Sequence, residues 1–212
     1  IVTGGAQGIG LAYCKGLAAE GAKVVVADID KAGSEAAVGE LGEAGADALA
    51  VVGDVSNPED TEEMARATME RFGRIDGLVN NAAIYQRPAV TRGPFEEIPL
   101  DEWDRLMAVN LRGVFLSCRA VVPHMKEQGS GKIVNISSGT VFNGSAQMLH
   151  YVTSKAGVIG LTRALARELG DYNINVNAVA PGLTVSMDEH DEEKEIRFQT
   201  RLQARSLKRL ES

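Results

Sequence analysis

Apolar runs and amphipathic stretches alternate along the 212 residues of the chain. After a first strand that ends at the Thr3-Gly4 turn, apolar runs predict strands at residues 24–28, 48–52, 78–79, 132–136 and 174–179. Apolar positions at helical spacing between these runs predict helices, the clearest at residues 31–43, 58–72 and 102–126. This alternation predicts an α/β protein with a single doubly wound parallel sheet and helices on both faces. Sheets of that kind bind ligands at the carboxyl ends of their strands.

A glycine turn joins the first strand to the first helix. Gly4, Gly8 and Gly10 precede a helix whose apolar face carries Leu11 and Cys14. Glycines let the backbone approach a pyrophosphate closely, and the start of a helix offers free amides and a positive dipole end to that charge. Because a strand precedes this glycine pattern and a helix follows it, we predict a dinucleotide site here.

Asp28 ends the second strand, where a carboxylate accepts hydrogen bonds from the adenosine ribose hydroxyls. The same carboxylate would repel the 2'-phosphate of NADP. Neither Gln7 nor the positions just after Asp28 hold an arginine, and Lys31 is the only nearby cation. NAD is therefore the predicted cofactor, with a solvated aspartate at a strand end as the alternative explanation.

Tyr151 and Lys155 are four residues apart on a predicted helix, so their side chains share one face. An ammonium about 4 Å from a phenol is worth about 4 kcal/mol at an effective dielectric of about 20, enough to lower the tyrosine pKa by two to three units. Tyr151 would then become a usable proton donor and acceptor. Such a pair also occurs on many solvated helices, but here Ser138 stands at the preceding strand end.

Ser138, Tyr151 and Lys155, with Asn110 in the long helix, resemble the catalytic tetrad of the short-chain dehydrogenase/reductase family, in its NAD-dependent alcohol dehydrogenase type. The glycine turn, the run from Asn80 to Ala83 and the Pro181-Gly182 turn resemble its cofactor motifs, with Ala83 where the family usually has glycine. The likeness implies a Rossmann fold. It also implies a cofactor site made by Gly4, Gln7, Gly8, Ile9, Gly10, Asp28, Ile29, Asp54, Val55, Asn81, Ala82, Tyr151, Lys155, Pro181, Gly182, Thr184 and Ser186.

The resemblance carries three further expectations. Asn110 would hold a water that links Lys155 to solvent through a bend in the helix. Residues 187–209 would form a mobile lid over the substrate, within one oxidoreductase domain spanning residues 1–212. The family's members associate, so we expect a homo-oligomer, a tetramer or a dimer. Both ends of the sequence look clipped, and the family would add a final helix and strand.

The charge and the cysteines narrow the class of protein. A net charge of −7 argues against a nucleic-acid or anionic-membrane surface, and no run of about 18 apolar residues exists, so no membrane-spanning segment is predicted. Cys14 and Cys118 are isolated, which predicts buried structural thiols and fits a reducing cytoplasm. His124, His150 and His190 make no metal-ligand spacing, so no metal is predicted.

These features predict an NAD-dependent oxidoreductase that interconverts a secondary alcohol and its ketone, with Tyr151 as acid/base. Mostly apolar side chains are expected to line the pocket, which suggests a small hydrophobic or aromatic alcohol: Tyr85, Thr140, Val141, Phe142, Met148 and Leu149. A competing hypothesis is a 3-oxoacyl carrier-protein reductase, which Arg87 and Arg92 keep open. A dinucleotide-sensing regulator without catalysis is the non-enzyme alternative.

Overall fold

A computed structural model describes residues 1–85 and 90–182. Its strands are β1 (Val2–Thr3), β2 (Val24–Asp28), β3 (Ala48–Val52), β4 (Gly77–Asn80), β5 (Gly131–Ile136) and β6 (Ile174–Val179). Its α-helices are α1 (Gly8–Ala19), α2 (Lys31–Glu43), α3 (Pro58–Phe72), α4 (Leu100–Met107), α5 (Gly113–Gln128), α6 (Thr140–Asn143) and α7 (Leu149–Leu169). All neighbouring strands pair in parallel in the order β3-β2-β1-β4-β5-β6.

Side chains that alternate along β2 build a core on each face of the sheet. Val24 and Val26 point to one face and pack with Cys14 of α1 and Leu41 of α2. Val25 belongs to the opposite core, to which α3, α5 and α7 contribute. The predicted doubly wound parallel sheet with helices on both faces is thereby confirmed.

Local capping signals set the bounds of the early helices. The Asp30 carboxylate accepts a hydrogen bond from the Gly33 amide at the start of α2. Asn57 does the same for Glu59 at the start of α3, with Pro58 in the first turn. Helix α3 ends at Gly73, whose φ of 72° places it in the left-handed region. These signals are short-range, and the predicted bounds of α2 and α3 agree with the structure.

The long helix predicted at residues 102–126 is interrupted. Helix α4 leads into a π-helical turn, Ala108–Arg112, and α5 continues from it. By length and composition alone this helix, Leu100–Gln128, could cross a membrane. Its apolar character has a use in the fold, since Val114, Val121 and Met125 are buried in the core against the sheet.

The strand register brings the predicted motifs to one edge. Thr3 pairs with Asn80, Asn80 pairs with Asn135, and Ile136 pairs with Val179. The segments that begin after β1, β4, β5 and β6 therefore leave the sheet side by side at its carboxyl edge.

Candidate active site

The glycine turn forms an open backbone cradle at the start of α1. Gly4 and Gly8 have φ values of 64° and 55°, a left-handed conformation that favours glycine. A Cβ at Gly10 would overlap the Gly4 carbonyl oxygen, whereas nothing lies within 4 Å of a Cβ position at Gly8. No side chain caps the helix at Gln7, so the amides of its first turn, Ile9 included, are available to an anion. The cradle fits a pyrophosphate.

Asp28 lies beside this cradle and is held by two backbone amides. Its Oδ2 accepts a hydrogen bond from the Ala6 amide at 3.1 Å, and its Oδ1 accepts one from the Asp30 amide at 3.1 Å. The neighbouring Ile29 side chain is largely exposed. A fixed, partly exposed carboxylate next to an anion cradle fits the ribose hydroxyls of a dinucleotide.

Asn81 shapes the cradle from the neighbouring strand end. Its Nδ2 donates to the Thr3 carbonyl at 3.1 Å and to the Gly4 carbonyl at 2.9 Å. The Thr3 hydroxyl in turn accepts hydrogen bonds from the amides of Asn81 and Ala82, each at 3.1 Å. These bonds fix the turn after β1 against the turn after β4. Contact of Asn81 and Ala82 with a cofactor remains a prediction.

Two further predicted cofactor segments lie at the same edge. The Asp54 carboxylate accepts a hydrogen bond from the Ser56 amide at 2.8 Å, which fixes the turn containing Val55 after β3. The Pro181 carbonyl accepts one from the Gly139 amide at 3.0 Å, so the Pro181-Gly182 turn adjoins the serine segment. The predicted contacts of Thr184 and Ser186, and the lid at 187–209, lie outside the described residues.

Ser138, after β5, lies close enough to Tyr151, in α7, to act on the pKa of its phenol. The Ser138 Oγ also accepts hydrogen bonds from the Thr140 hydroxyl at 2.9 Å and the Thr140 amide at 3.3 Å. The ring of Tyr85 lies 5.0 Å from the Tyr151 ring, centroid to centroid, with an interplanar angle of 51°. The Arg92 guanidinium lies 5.5 Å from the centroid of the Tyr85 ring. Tyr151 is therefore held between a serine hydroxyl and an aromatic wall.

Lys155 is one helical turn from Tyr151, with only 2% of its surface exposed. Its Nζ donates to the Ile136 carbonyl at 2.8 Å, and burial lowers its pKa from 10.5 to about 8. Burial likewise raises the pKa of Tyr151 to about 12, while the Ser138 hydrogen bond and the Arg92 charge oppose that rise. The spacing argument predicted a lowered Tyr151 pKa. The structure shows the opposite direction, because burial is the larger effect and the ammonium is bonded to a carbonyl.

Asn110 lies fully buried in the π-helical turn. Its Oδ1 accepts from the Ile84 amide at 2.7 Å, and its Nδ2 donates to the Ile84 carbonyl at 3.1 Å and the Ser154 hydroxyl at 3.3 Å. The Ser154 hydroxyl donates to the Tyr151 carbonyl at 2.8 Å. Asn110 thus connects the segment after β4 to α7. The predicted water relay to Lys155 remains a prediction.

The pocket side chains divide into two groups. Tyr85, Phe142 and Leu149 are large apolar side chains left exposed at this edge. Met148 is instead buried and packs in a cluster with Val90, Leu106 and Tyr151. That Met148 lines the pocket stays a prediction, since Tyr151 belongs to the same buried cluster.

The sequence interpretation missed one buried polar cluster next to Tyr151. The Glu102 carboxylate accepts hydrogen bonds from Thr91 and lies 2.7 Å from the His150 ring nitrogen. The sequence contains an indication that Glu102 faces inward. Glu102, Leu106 and Asn110 follow one another at four-residue steps and so share one face of the helix. Across residues 1–85 and 90–182, no group of histidine, cysteine, aspartate and glutamate could hold a metal ion.

A doubly wound parallel sheet, a glycine cradle and a serine–tyrosine–lysine group at its carboxyl edge define a dinucleotide-binding oxidoreductase. Residues 1–196 match the sequence model of the short chain dehydrogenase family, and the chain belongs to that family.

Two sequence relatives illustrate its breadth. The chain is 44% identical to levodione reductase of Leifsonia aquatica over 184 residues, which cover 86% of this chain and 67% of the relative. It is 40% identical to a 3-oxoacyl-[acyl-carrier-protein] reductase of Synechocystis sp. over 183 residues, covering 86% and 72% of the two chains.

Solved structures agree with this assignment. The crystal structure of levodione reductase superposes with a TM-score of 0.89 at 38% identity and covers 98% of this chain and 82% of that one. NAD⁺-bound xylitol dehydrogenase gives 0.83 at 32% identity, covering 95% and 73%. The chain is therefore an oxidoreductase of the family that acts on alcohol and ketone groups with a nicotinamide dinucleotide.

Proposed function

We propose that the chain catalyses reversible hydride transfer between NAD and a secondary alcohol or its ketone, with Tyr151 as the acid/base. The observation that carries the proposal is that Ser138 and Tyr151 come together at the carboxyl edge of the sheet, one helical turn from the buried Lys155. In oxidation, the C–H bond breaks and its electron pair leaves as hydride, while the hydroxyl proton moves to the Tyr151 oxygen. Burial disfavours the deprotonated tyrosine that accepts this proton, and the positive charge of the nearby Lys155 favours it. Ser138 donates a hydrogen bond to the same substrate oxygen as negative charge builds there.

The remaining residues of the tetrad prepare this step. Lys155 keeps a buried positive charge one turn from Tyr151 and binds the nicotinamide ribose. Asn110 holds Ile84 and, through Ser154, the Tyr151 backbone, and it completes the proton relay. NAD, when bound in the cradle at the start of α1, supplies the hydride acceptor.

Asp28 supports NAD over NADP. Two backbone amides fix its carboxylate where the adenosine ribose would lie. Lys31 is the nearest cation in sequence, and its Nζ lies 3.9 Å from Glu35 Oε1. Its charge is therefore already paired with a carboxylate, which does not favour binding of a 2'-phosphate. The NAD⁺-bound state of the similar xylitol dehydrogenase is consistent with this preference.

The proposed substrate is a small hydrophobic or aromatic secondary alcohol. Support comes from the apolar side chains exposed beside Tyr151, namely those of Tyr85, Phe142 and Leu149. We further propose that the protein forms a homo-oligomer, a dimer or tetramer. We also propose that it is located in a reducing cytoplasm, since Cys14 and Cys118 are buried and unpaired.

Turnover by wild type and a matched pair of tyrosine variants tests the mechanism. Absorbance of the reduced cofactor is followed with NAD and with NADP across 1-phenylethanol, cyclohexanol and related alcohols. Tyr151→Phe should lower kcat by about 10³-fold, in the range typical of general acid–base groups, while NAD affinity is kept. Tyr85→Phe keeps the aromatic wall and should retain most activity. Turnover by Tyr151→Phe close to wild type would reject the mechanism, and a preference for NADP would reject the Asp28 argument.

A second candidate is the 3-oxoacyl carrier-protein reductase reaction. It is supported by 40% identity to the Synechocystis enzyme and by the half-buried cation of Arg92 near Tyr151. Acetoacetyl-CoA with NADPH separates the candidates, because rapid reduction there with no alcohol oxidation would favour the acyl substrate. NAD binding without turnover on any alcohol or ketone would favour the sensing role.

A further inference from the structure

A buried carboxylate connects three segments around Tyr151. Glu102 of α4 is 9% exposed, and its Oε1 accepts from the Thr91 amide at 2.6 Å and lies 2.7 Å from His150 Nε2. Its Oε2 accepts from the Thr91 hydroxyl at 2.6 Å. Thr91 belongs to the segment after β4, and His150 to α7. We call Thr91, Glu102 and His150 the Glu102 network.

The hydrogen bonds in this network are directional. His150 is fully buried, and its Nδ1 has no partner in the described part of the chain. The proton therefore lies on Nε2 and is donated to Glu102, since a carboxylate can only accept. Burial acts to raise the pKa of Glu102, but the Thr91 and His150 hydrogen bonds outweigh it and lower that pKa. The carboxylate is thus charged and buried, and it has three hydrogen-bond partners on Thr91 and His150.

Both partners of Glu102 adjoin the reacting group or its wall. His150 immediately precedes Tyr151, and Thr91 immediately precedes Arg92. The Arg92 guanidinium lies over the Tyr85 ring, which in turn lies against the Tyr151 ring. One carboxylate therefore sets the distance between the catalytic helix and the wall that faces its phenol.

Burying the ionised Glu102 carboxylate costs desolvation free energy. Well-packed apolar residues often match or exceed the stability given by a buried ionised group, so stability alone does not account for it. A charged acceptor with three fixed donors does specify one relative position of the joined segments. Neither Glu102 nor His150 contacts the phenol oxygen through any described hydrogen bond, so any effect on the reaction must pass through Tyr151.

We propose that Thr91, Glu102 and His150 are positioning residues that hold Tyr151 and the Tyr85–Arg92 wall in the reactive arrangement. This inference rests on the proposed function, in which Tyr151 is the acid/base. It assigns the buried pair of Glu102 and His150 a role in kcat and not in cofactor binding.

Thr91 offers a mild test with a matched control. Thr91→Val keeps the shape but removes the hydroxyl that donates to Glu102, whereas Thr91→Ser keeps that hydroxyl. Each variant is assayed with the best alcohol of the panel, and the maximal velocity is divided by the concentration of NAD-binding sites measured by titration, which gives kcat per site. This division removes any misfolded fraction. We expect Thr91→Val to lower kcat per site at least about tenfold, with KM for NAD within about twofold of wild type, and Thr91→Ser to restore kcat.

The outcomes separate this inference from the proposed function. Wild-type kcat per site in Thr91→Val would overturn the inference, as would a loss confined to the number of NAD-binding sites, which denotes a purely structural role. A Thr91→Ser variant as slow as Thr91→Val would also overturn it, because the hydroxyl would not be the cause. Tyr151→Phe is assayed in parallel. If it keeps full turnover, the proposed function fails and the positioning role fails with it.

Discussion

The buried ammonium of Lys155 lowers the stability of the folded protein but is needed for the proposed reaction. Burial lowers its pKa from 10.5 to about 8, so the charged form is about 3 kcal/mol less favourable in the folded protein than in the unfolded chain. One carbonyl, that of Ile136, accepts its hydrogen bond. In the proposed mechanism the Lys155 ammonium binds the nicotinamide ribose and acts on Tyr151. The destabilisation is therefore explained by function.

Lys155→Met should therefore stabilise the protein while removing its activity. Methionine fills a similar volume without a buried charge, and loss of the hydrogen bond to Ile136 costs about 1 kcal/mol. Near pH 7, below both pKa values of Lys155, we expect the free energy of unfolding to rise by about 1 to 2 kcal/mol. Urea denaturation measures this difference, and the same preparation should show no alcohol turnover.

The effect of Lys155→Met should also depend on pH with a defined sign. The folded protein releases the Lys155 proton near pH 8 and the unfolded chain near pH 10.5, so wild type gains stability as pH rises between these values. The advantage of the variant should thus shrink from about pH 7 to about pH 10. Lys15→Met, which removes an exposed lysine paired with Glu40, is the control and should change little. A variant less stable than wild type near pH 7 contradicts the argument.

At the scale of single elements, two of the three glycines of α1, Gly10 and Gly16, have opposite roles. A Cβ at Gly10 would overlap the Gly4 carbonyl oxygen and approach Asn81 Nδ2 at 2.6 Å, whereas a Cβ at Gly16 would meet open space. Gly10→Ala should therefore distort the cradle and weaken NAD binding at least about tenfold, equivalent to about 1.4 kcal/mol. Gly16→Ala should leave NAD affinity unchanged and stabilise the helix by about 0.5 to 1 kcal/mol.

Calorimetric titration with NAD and urea denaturation of both glycine variants check this contrast. The two substitutions add the same methyl group to the same helix, so only their surroundings differ. Equal NAD affinity in Gly10→Ala and wild type would show that the turn does not need glycine there.

The elements predicted from sequence are those specified by neighbouring residues. The bounds of β3, α2, α3 and β6 follow from apolar runs and caps within a few positions, such as Asp30 and Asn57. The π-helical turn and the Glu102 network were not predicted. They depend on partners far along the chain, with Asn110 bonded to a residue 26 positions away and Glu102 near one 48 positions away. Spacing within one helix cannot reveal such partners.

For the candidate site, the positions of the motifs were predicted from the sequence, whereas the effect of burial on Tyr151 was not. The motifs at strand ends were predicted to meet at one edge, because a parallel sheet brings its carboxyl ends together. The direction of the Tyr151 pKa was predicted wrongly, because spacing reveals the nearby Lys155 but not the burial that outweighs it.

At the scale of the whole molecule, the outer face of α5 carries an exposed aromatic side chain that has no role in the core or in the candidate site. Phe115 is 49% exposed in the middle of this helix. Next to it, a groove of about 310 Å³ lies between α3 and α5, lined by Pro58, Thr61, Glu62, Leu116, Arg119, Ala120 and Pro123. A large exposed aromatic beside a partly apolar groove is typical of an interaction surface. The face lies on the outside of the sheet, so a partner there would leave the carboxyl edge accessible.

Phe115→Asp should therefore weaken the self-association proposed above without affecting the cofactor site. Sedimentation velocity across a range of concentrations should show wild type as a dimer or larger, and the variant shifted toward the monomer, because a carboxylate cannot be buried in an apolar contact without a partner. NAD affinity should be unchanged, since Phe115 lies in α5 and the cradle is formed by the turn before α1. Leu17→Asp, at a residue of α1 with 40% exposure, is the matched control and should associate like wild type. A monomeric wild type, or a variant that associates as strongly as wild type, would show that α5 does not form the contact.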